Sequence, residues 1–279
     1  MTKISIIWNV TARCPWNCAF CVMDAGKDCK RKELTLDEKK AVCQNIDIPN
    51  VRIDLSGGEV MFEKIKHLSL IEILSKKLGR DNIGISTSGY GIDNETARFL
   101  SEKVGDVEMT MDAAPGMPNP YREDGYHRTA GNAVRNLRKH GIRVGIQTVL
   151  TREHLEHPEV LASLYDWLRE NEVDVWSLIR FFPSGRGSRL AYLAMDDGEN
   201  LSLVERAKTL CTGRTGPSLD VHYLLPGSPK DGGCRCVKKS IGILPDGGLL
   251  RHSRLFLAVI PAGGDAAAGN GPAERTSLP

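Results

Sequence analysis

Three cysteines, Cys14, Cys18 and Cys21, stand close together in the stretch 9–24, NVTARCPWNCAFCVMD. Thiolates at this spacing can converge on one iron–sulfur cube from a single loop, and soft sulfur ligands suit such a cluster. One iron is then left without a ligand from the motif, and an open coordination position is where a metal site does chemistry. A zinc knuckle or a ferredoxin fragment is the competing reading. Zinc would recruit Asp24 or Cys29 as a fourth ligand, although this spacing is not the usual paired CxxC. The cysteines follow a strand-like run at 4–10, which puts them at a strand's carboxyl end, where α/β proteins place their sites.

Other polar groups recur at strand ends. The second strand closes in Ser56-Gly57-Gly58-Glu59. Two glycines let backbone approach a ligand, and a carboxylate can take up an ammonium group; a plain strand-to-helix turn explains the triplet equally. The third strand ends in Ser86-Thr87-Ser88-Gly89 and the fourth in Met109-Thr110-Met111-Asp112, with Tyr126-His127-Arg128 beyond. The forked donors of an arginine suit a carboxylate. His127 is either substrate-facing or, the plainer reading, a surface histidine at a helix start. The 181–187 loop, FFPSGRG, is either an anion contact or a solvated turn.

The CxxxCxxC spacing, with Phe20 just before the third cysteine, resembles the signature of the radical S-adenosylmethionine (SAM) enzymes. The resemblance implies that Cys14, Cys18 and Cys21 hold a [4Fe–4S] cluster whose fourth iron binds SAM. An electron then cleaves SAM to methionine and a 5′-deoxyadenosyl radical, which takes hydrogen from the substrate. Ser56 to Glu59 resembles the family's GGEP motif toward the SAM amino group, with Val60 in place of proline. The stretch from Thr110 to Gly131 is similar to the "SxDG…hD…R…G" run of the peptide-modifying subgroup, with Ala113 where glycine is usual. The resemblance thus implies Phe20, Ser56, Gly57, Gly58, Glu59, Ser86, Thr110 and Arg128 as cofactor-binding residues, with Arg128 on the SAM carboxylate.

The elements that position these residues are an alternating series. Strands are expected at 4–10, 51–55, 83–87, 107–111, 144–150 and 173–179. Helices are expected at 35–46, 65–78, 95–104, 130–140, 159–170 and 201–210, the first opened by a Thr35/Glu38 capping box. Six βα repeats require a parallel sheet covered by helices, an α/β fold. The resemblance implies a partial (β/α)6 TIM-like barrel, open on one side. Gln147 on the fifth strand faces either inward or outward by alternation.

The composition is ordinary for a globular chain of 279 residues, with 41% hydrophobic and 26% charged residues and a net charge of +2. Nucleic acid and membrane are therefore not expected partners, and the cytoplasm is the expected location. Eight cysteines in such a setting argue for metal rather than disulfides. After residue 210 the composition turns rich in glycine and proline, and Cys234-Arg235-Cys236 is followed by Gly247 and His252. This resembles the opening of a SPASM or twitch extension, with histidine where that family has cysteine. The expected organisation is a core at 1–210, an extension at 211–260 and a disordered tail at 261–279. Cys211, Cys234, Cys236 and His252 are the candidate ligands of a second iron–sulfur cluster; zinc, or no metal, is the alternative.

Two enzymatic readings follow. The first is a radical SAM enzyme acting on a peptide or peptidyl residue, as a peptide maturase or an enzyme activator; the second acts on a small metabolite or nucleotide. An electron carrier or zinc-bound interaction module needs neither six βα units nor SAM-binding strand ends. The expected partners are an electron donor such as flavodoxin or ferredoxin and, since no leader-binding helix-turn-helix domain is read ahead of Ile4, a separate leader-peptide-binding protein.

Overall fold

The computed structural model describes residues 4–222, 225–228 and 240–250. Among the described residues nine strands form one sheet: β1 (Ile4–Thr11), β2 (Val51–Gly57), β3 (Ile83–Thr87), β4 (Asp106–Thr110), β5 (Arg143–Leu150), β6 (Val175–Arg180), β7 (Ser218–Val221), β8 (Ser240–Ile243) and β9 (Leu249–Leu250). Their order is β7-β6-β5-β4-β3-β2-β1-β8-β9, parallel throughout except for the antiparallel β8–β9 pair. The sheet is an unclosed partial barrel. Its helices are α1 (Leu36–Asn45), α2 (Lys64–Leu78), α3 (Asn94–Lys103), α4 (Tyr126–Lys139), α5 (Arg152–Glu156), α6 (Pro158–Glu170) and α7 (Asp197–Cys211).

Side-chain alternation explains which face is covered. Ile6, Trp8 and Val10, then Val51, Ile53 and Leu55, and Val144, Ile146 and Leu150 are buried between sheet and helices, against Leu70, Ile71, Leu74, Leu100 and Leu137. The intervening positions face the lumen and are mostly polar and half-buried: Arg52, Asp54, Ser56, Ser86, Glu108, Thr110 and Gln147. Gln147 therefore points inward, where its amide donates to Glu108 Oε2 at 2.8 Å. Arg52 forks between Asp54 and Asp106. A Cβ at Gly84 would stand 2.2 Å from Asp54 Oδ1 and 2.3 Å from Arg52 Nη2, so that glycine makes room for the charged layer. Burial, with Asp54 and Asp106 nearby, lifts the Glu108 carboxyl to about 7.

Helix α1 carries the expected capping box: Glu38 N donates to Thr35 Oγ1, and Thr35 N donates back to the Glu38 carboxylate at 2.7 Å. Helix α4 starts at Tyr126, four residues before the expected start, because Gly125 at φ 84° turns the chain there and Tyr126 packs inward. The sheet also runs past the six expected strands. β7 extends the β6 edge and β8 lies parallel to β1, so segments beyond residue 210 complete both edges of the same sheet. Cys234, Cys236, His252 and the expected 261–279 tail lie outside the described residues. Among the described residues, no helix is long and apolar enough to cross a membrane.

Candidate functional site

The cysteine loop leaves β1 at the carboxyl end of the sheet and is pinned on both sides. Cys14 N donates to Gly26 O at 3.2 Å and Ala19 N to Tyr121 O at 2.9 Å. Glu33 Oε1 accepts from Thr11 Oγ1 at 2.9 Å and Ala12 N at 2.7 Å. From the β6 end, Arg186 donates its Nε to Cys18 O, its backbone N to Cys21 O, and its Nη1 to Asp24 at 3.0 Å. The 181–187 loop thus clamps the cysteine loop. Gly185 sits at φ 62°, where a Cβ would meet Cys21 O at 2.4 Å, so only glycine allows that approach.

Cys14, Cys18 and Cys21 are free thiols lining one cavity of about 330 Å³. Burial pushes the Cys14 thiol up to about 12, opposed by the Trp16 backbone amide and reinforced by Glu59, Cys18 and Cys21. Burial also raises Cys18, against the opposing charge and hydrogen bond of Arg122. Such thiols are protonated until a cation displaces their protons, as metal binding requires. The two zinc alternatives face elsewhere: Asp24 pairs with Arg186, and Cys29 lines a different cavity.

The Ser56-Gly57-Gly58 turn lines the same cavity beside the start of the cysteine loop. Gly58 N donates to Thr11 O at 2.7 Å, and Glu59 N to Arg13 O at 2.8 Å. Cβ atoms at Gly57 and Gly58 would stand 2.3 Å from Thr11 O and 2.2 Å from Arg13 O, so the turn needs both glycines. Phe20, Ser56, Gly57, Gly58, Ser86 and Thr110 all line the cavity.

Glu59 and Arg128 do not. Glu59 is 1% exposed, and its carboxylate accepts from Met61 N, Thr87 Oγ1, Ser88 N and Ser88 Oγ. Burial raises its pKa while these donors lower it, leaving it above the ordinary carboxylate range. Its part here is to fix the β3 end: Ser88 Oγ in turn accepts Trp16 Nε1 at 2.9 Å, and Trp16 lines the cavity. Arg128 is exposed on α4, with Nη2 near Gly125, outside the cavity lining.

Arg122, which the sequence did not single out, lines the cavity together with Arg180 and Arg186 and is the most buried of the three. Its side chain is 9% exposed and pairs with Asp112 at 2.7 Å. It lies between the rings of Phe20, at 4.4 Å, and Tyr126, at 4.5 Å, and Nη1 is 3.4 Å from Cys18 Sγ. Asp112 also accepts from Val149 N at 3.0 Å. Burial works to raise its carboxyl, but Arg122 and His127 outweigh that and hold it below the usual range. His127 is buried, not a surface residue: its Nε2 accepts from Asp112 N at 3.3 Å, and burial lowers its pKa to about 4. Cys211 closes α7, half-buried and away from this cavity.

The radical SAM superfamily profile matches residues 8–164. Fe-coproporphyrin III synthase of Methanosarcina barkeri is 27% identical over 206 residues, covering 73% of this chain and 49% of that protein. PqqA peptide cyclase of Bradyrhizobium diazoefficiens is 24% identical over 246 residues, 80% of this chain and 58% of its own. The chain therefore spans about half the length of the curated relatives it matches. SuiB of Streptococcus suis, solved with S-adenosylmethionine and also with its precursor peptide SuiA, shares the fold at a TM-score of 0.74 with SAM bound. That match has 14% identity and covers 95% of this chain and 62% of SuiB. With more than half of its length matched by that profile and three free thiols inside the matched span, the chain belongs to the radical SAM superfamily, whose enzymes use a [4Fe–4S] cluster and S-adenosylmethionine.

Proposed function

We propose that this chain holds a [4Fe–4S] cluster on Cys14, Cys18 and Cys21, cleaves SAM reductively beside it and removes hydrogen from a peptide or peptidyl residue. The observation that carries this is the convergence on one cavity of three free thiols, a two-glycine cradle and a buried guanidinium. Cluster and SAM, when bound, supply the one-electron chemistry. The chain's own part is binding and exclusion. Arg122, in place of Arg128, offers donors to the SAM carboxylate, while Asp112 and two aromatic rings hold its orientation. Ser56, Ser86 and Thr110 present hydroxyls, and Gly57 and Gly58 present backbone. Phe20 and Phe181, 6.2 Å apart, form an apolar wall that keeps water from the thiols. Glu59 acts at one remove, by fixing Thr87 and Ser88.

A peptide substrate is supported by the likeness to SuiB and PqqA peptide cyclase. The likeness to Fe-coproporphyrin III synthase favours a second reading, a small-molecule substrate such as a tetrapyrrole. We carry with the first reading a 211–260 extension in which Cys211, Cys234, Cys236 and His252 hold a second cluster, and a separate leader-binding partner. The test is anaerobic reconstitution with iron and sulfide, then dithionite and SAM. Formation of 5′-deoxyadenosine is expected; its absence from protein with a full cluster would sink the proposal. Stimulation by candidate precursor peptides, but not by porphyrins, separates the two substrate classes.

A further inference from the structure

A second cavity, of about 280 Å³, lies behind the cysteine loop, lined by Arg13, Cys29, Glu33, Lys66 and His67 among others. The wall between the two cavities is the 11–14 segment: Arg13 lines one side, and Cys14, its neighbour in the chain, lines the other. Around this outer cavity the charge is lopsided. Lys27, Lys30 and Lys32 are exposed, Arg31 is half-buried and lines the cavity, and the Arg13 and Lys66 side chains are 42% and 56% exposed. Glu63 pairs with both Arg13 and Lys66, and Asp28 and Glu33 oppose part of the rest, so on a chain of only +2 the local excess of positive charge is carried by Lys27, Lys30, Arg31 and Lys32. The cavity also has an unmet polar group: His67 is 1% exposed, its Nδ1 bonds Val60 O at 2.6 Å, and its Nε2 has no partner.

We propose that this basic face is the docking surface of an acidic one-electron carrier protein, bearing flavin or an iron–sulfur centre, that reduces the cluster held by Cys14. The inference rests on the functional reading above, because the cleavage it assigns consumes one electron per turnover. Each transfer oxidises the carrier by one electron and reduces the cluster by one. A carrier seated here stands one backbone thickness from Cys14, whereas the other side of that wall must receive SAM and substrate. Complementary charge speeds such encounters, and salt suppresses the effect.

The test uses the triple variant K30E/R31E/K32E, none of whose residues lines the thiol cavity, with R135E/K139E on exposed α4 positions as a charge control. Reconstituted proteins are reduced by flavodoxin hydroquinone in stopped flow and, separately, by dithionite, with SAM cleavage followed in each; oxidised flavodoxin binding is titrated in parallel. For the triple variant we expect at least a tenfold slower flavodoxin reduction at low salt and at least tenfold weaker binding. We expect dithionite-driven cleavage within twofold of wild type, and the control variant to behave as wild type. Wild-type flavodoxin binding and reduction in the triple variant overturn the proposal. So does loss of peptide modification with dithionite alongside normal flavodoxin reduction, which would make this a substrate surface. Absence of deoxyadenosine from the wild type under dithionite, by contrast, would refute the functional reading while the binding titration still judges the surface.

Discussion

Arg122 is held by three different kinds of contact, and each has a separate consequence. The carboxylate of Asp112 takes its Nε and one Nη2 hydrogen, Phe20 and Tyr126 sandwich its plane, and Cys18 takes one Nη1 hydrogen, which leaves a hydrogen on each Nη for a ligand carboxylate. Arg122→Lys keeps the charge but loses the fork and the stacking, so SAM affinity should fall at least tenfold by calorimetry, while Arg128→Lys should leave it within twofold. The reverse pattern would restore Arg128 as the carboxylate anchor. Replacing Cys14, Cys18 and Cys21 together with alanine should remove the broad cluster absorbance of this site and abolish deoxyadenosine formation. His127 gives a pH signature. Its folded pKa is about 4, below the ordinary value of about 6.5, so the folded state binds fewer protons there. Its contribution is complete above pH ~6.5 and is lost as pH falls toward 4, by at most roughly 3 kcal/mol. Chemical denaturation across that window should show falling stability, and His127→Phe should flatten the slope.

The cysteines and the glycine pair were legible because their meaning lies in contiguous spacing. Arg122 was not, because its role comes from a loop folding back over Cys18, 104 residues earlier in the chain. Only the motif's loose "R" position hinted at it, and Arg128 satisfied that equally. For elements, the division is similar. Core strands and helices announce themselves by alternation, periodicity and caps such as Thr35/Glu38. β7 and β8 are four residues each, and their pairing partners are distant in sequence, so no local pattern marks them. The turn between β2 and α2 offers a direct check on how elements meet. Gly58→Ala would press a Cβ against the Arg13 carbonyl, and neither backbone can yield cheaply. We expect a stability loss of about 1–3 kcal/mol in urea titration and weakened iron retention, whereas Gly79→Ala at the end of α2 meets no atom, carries only the backbone strain of its φ of 80°, and should keep its iron.

At the scale of the molecule, iron content tests the C-terminal proposal. If Cys211, Cys234, Cys236 and His252 hold a second cluster, the triple alanine variant of the first loop should still retain about four irons per chain; a variant that retains none removes that cluster. The sheet itself carries one more implication. Its main apolar core lies outside, between strands and helices, while the lumen mixes Ser56, Ser86, Gln147 and charged pairs with a smaller apolar group at Ile7, Val149, Ile179 and Phe181. Stability and lumen chemistry are thus written in alternating residues of the same strands. Randomising lumen positions that were not given to the cofactor, such as Gln147, Val149 and Ile179, should therefore alter what the barrel accepts while leaving most members folded. Such a scaffold can diverge toward new substrates without first being stabilised.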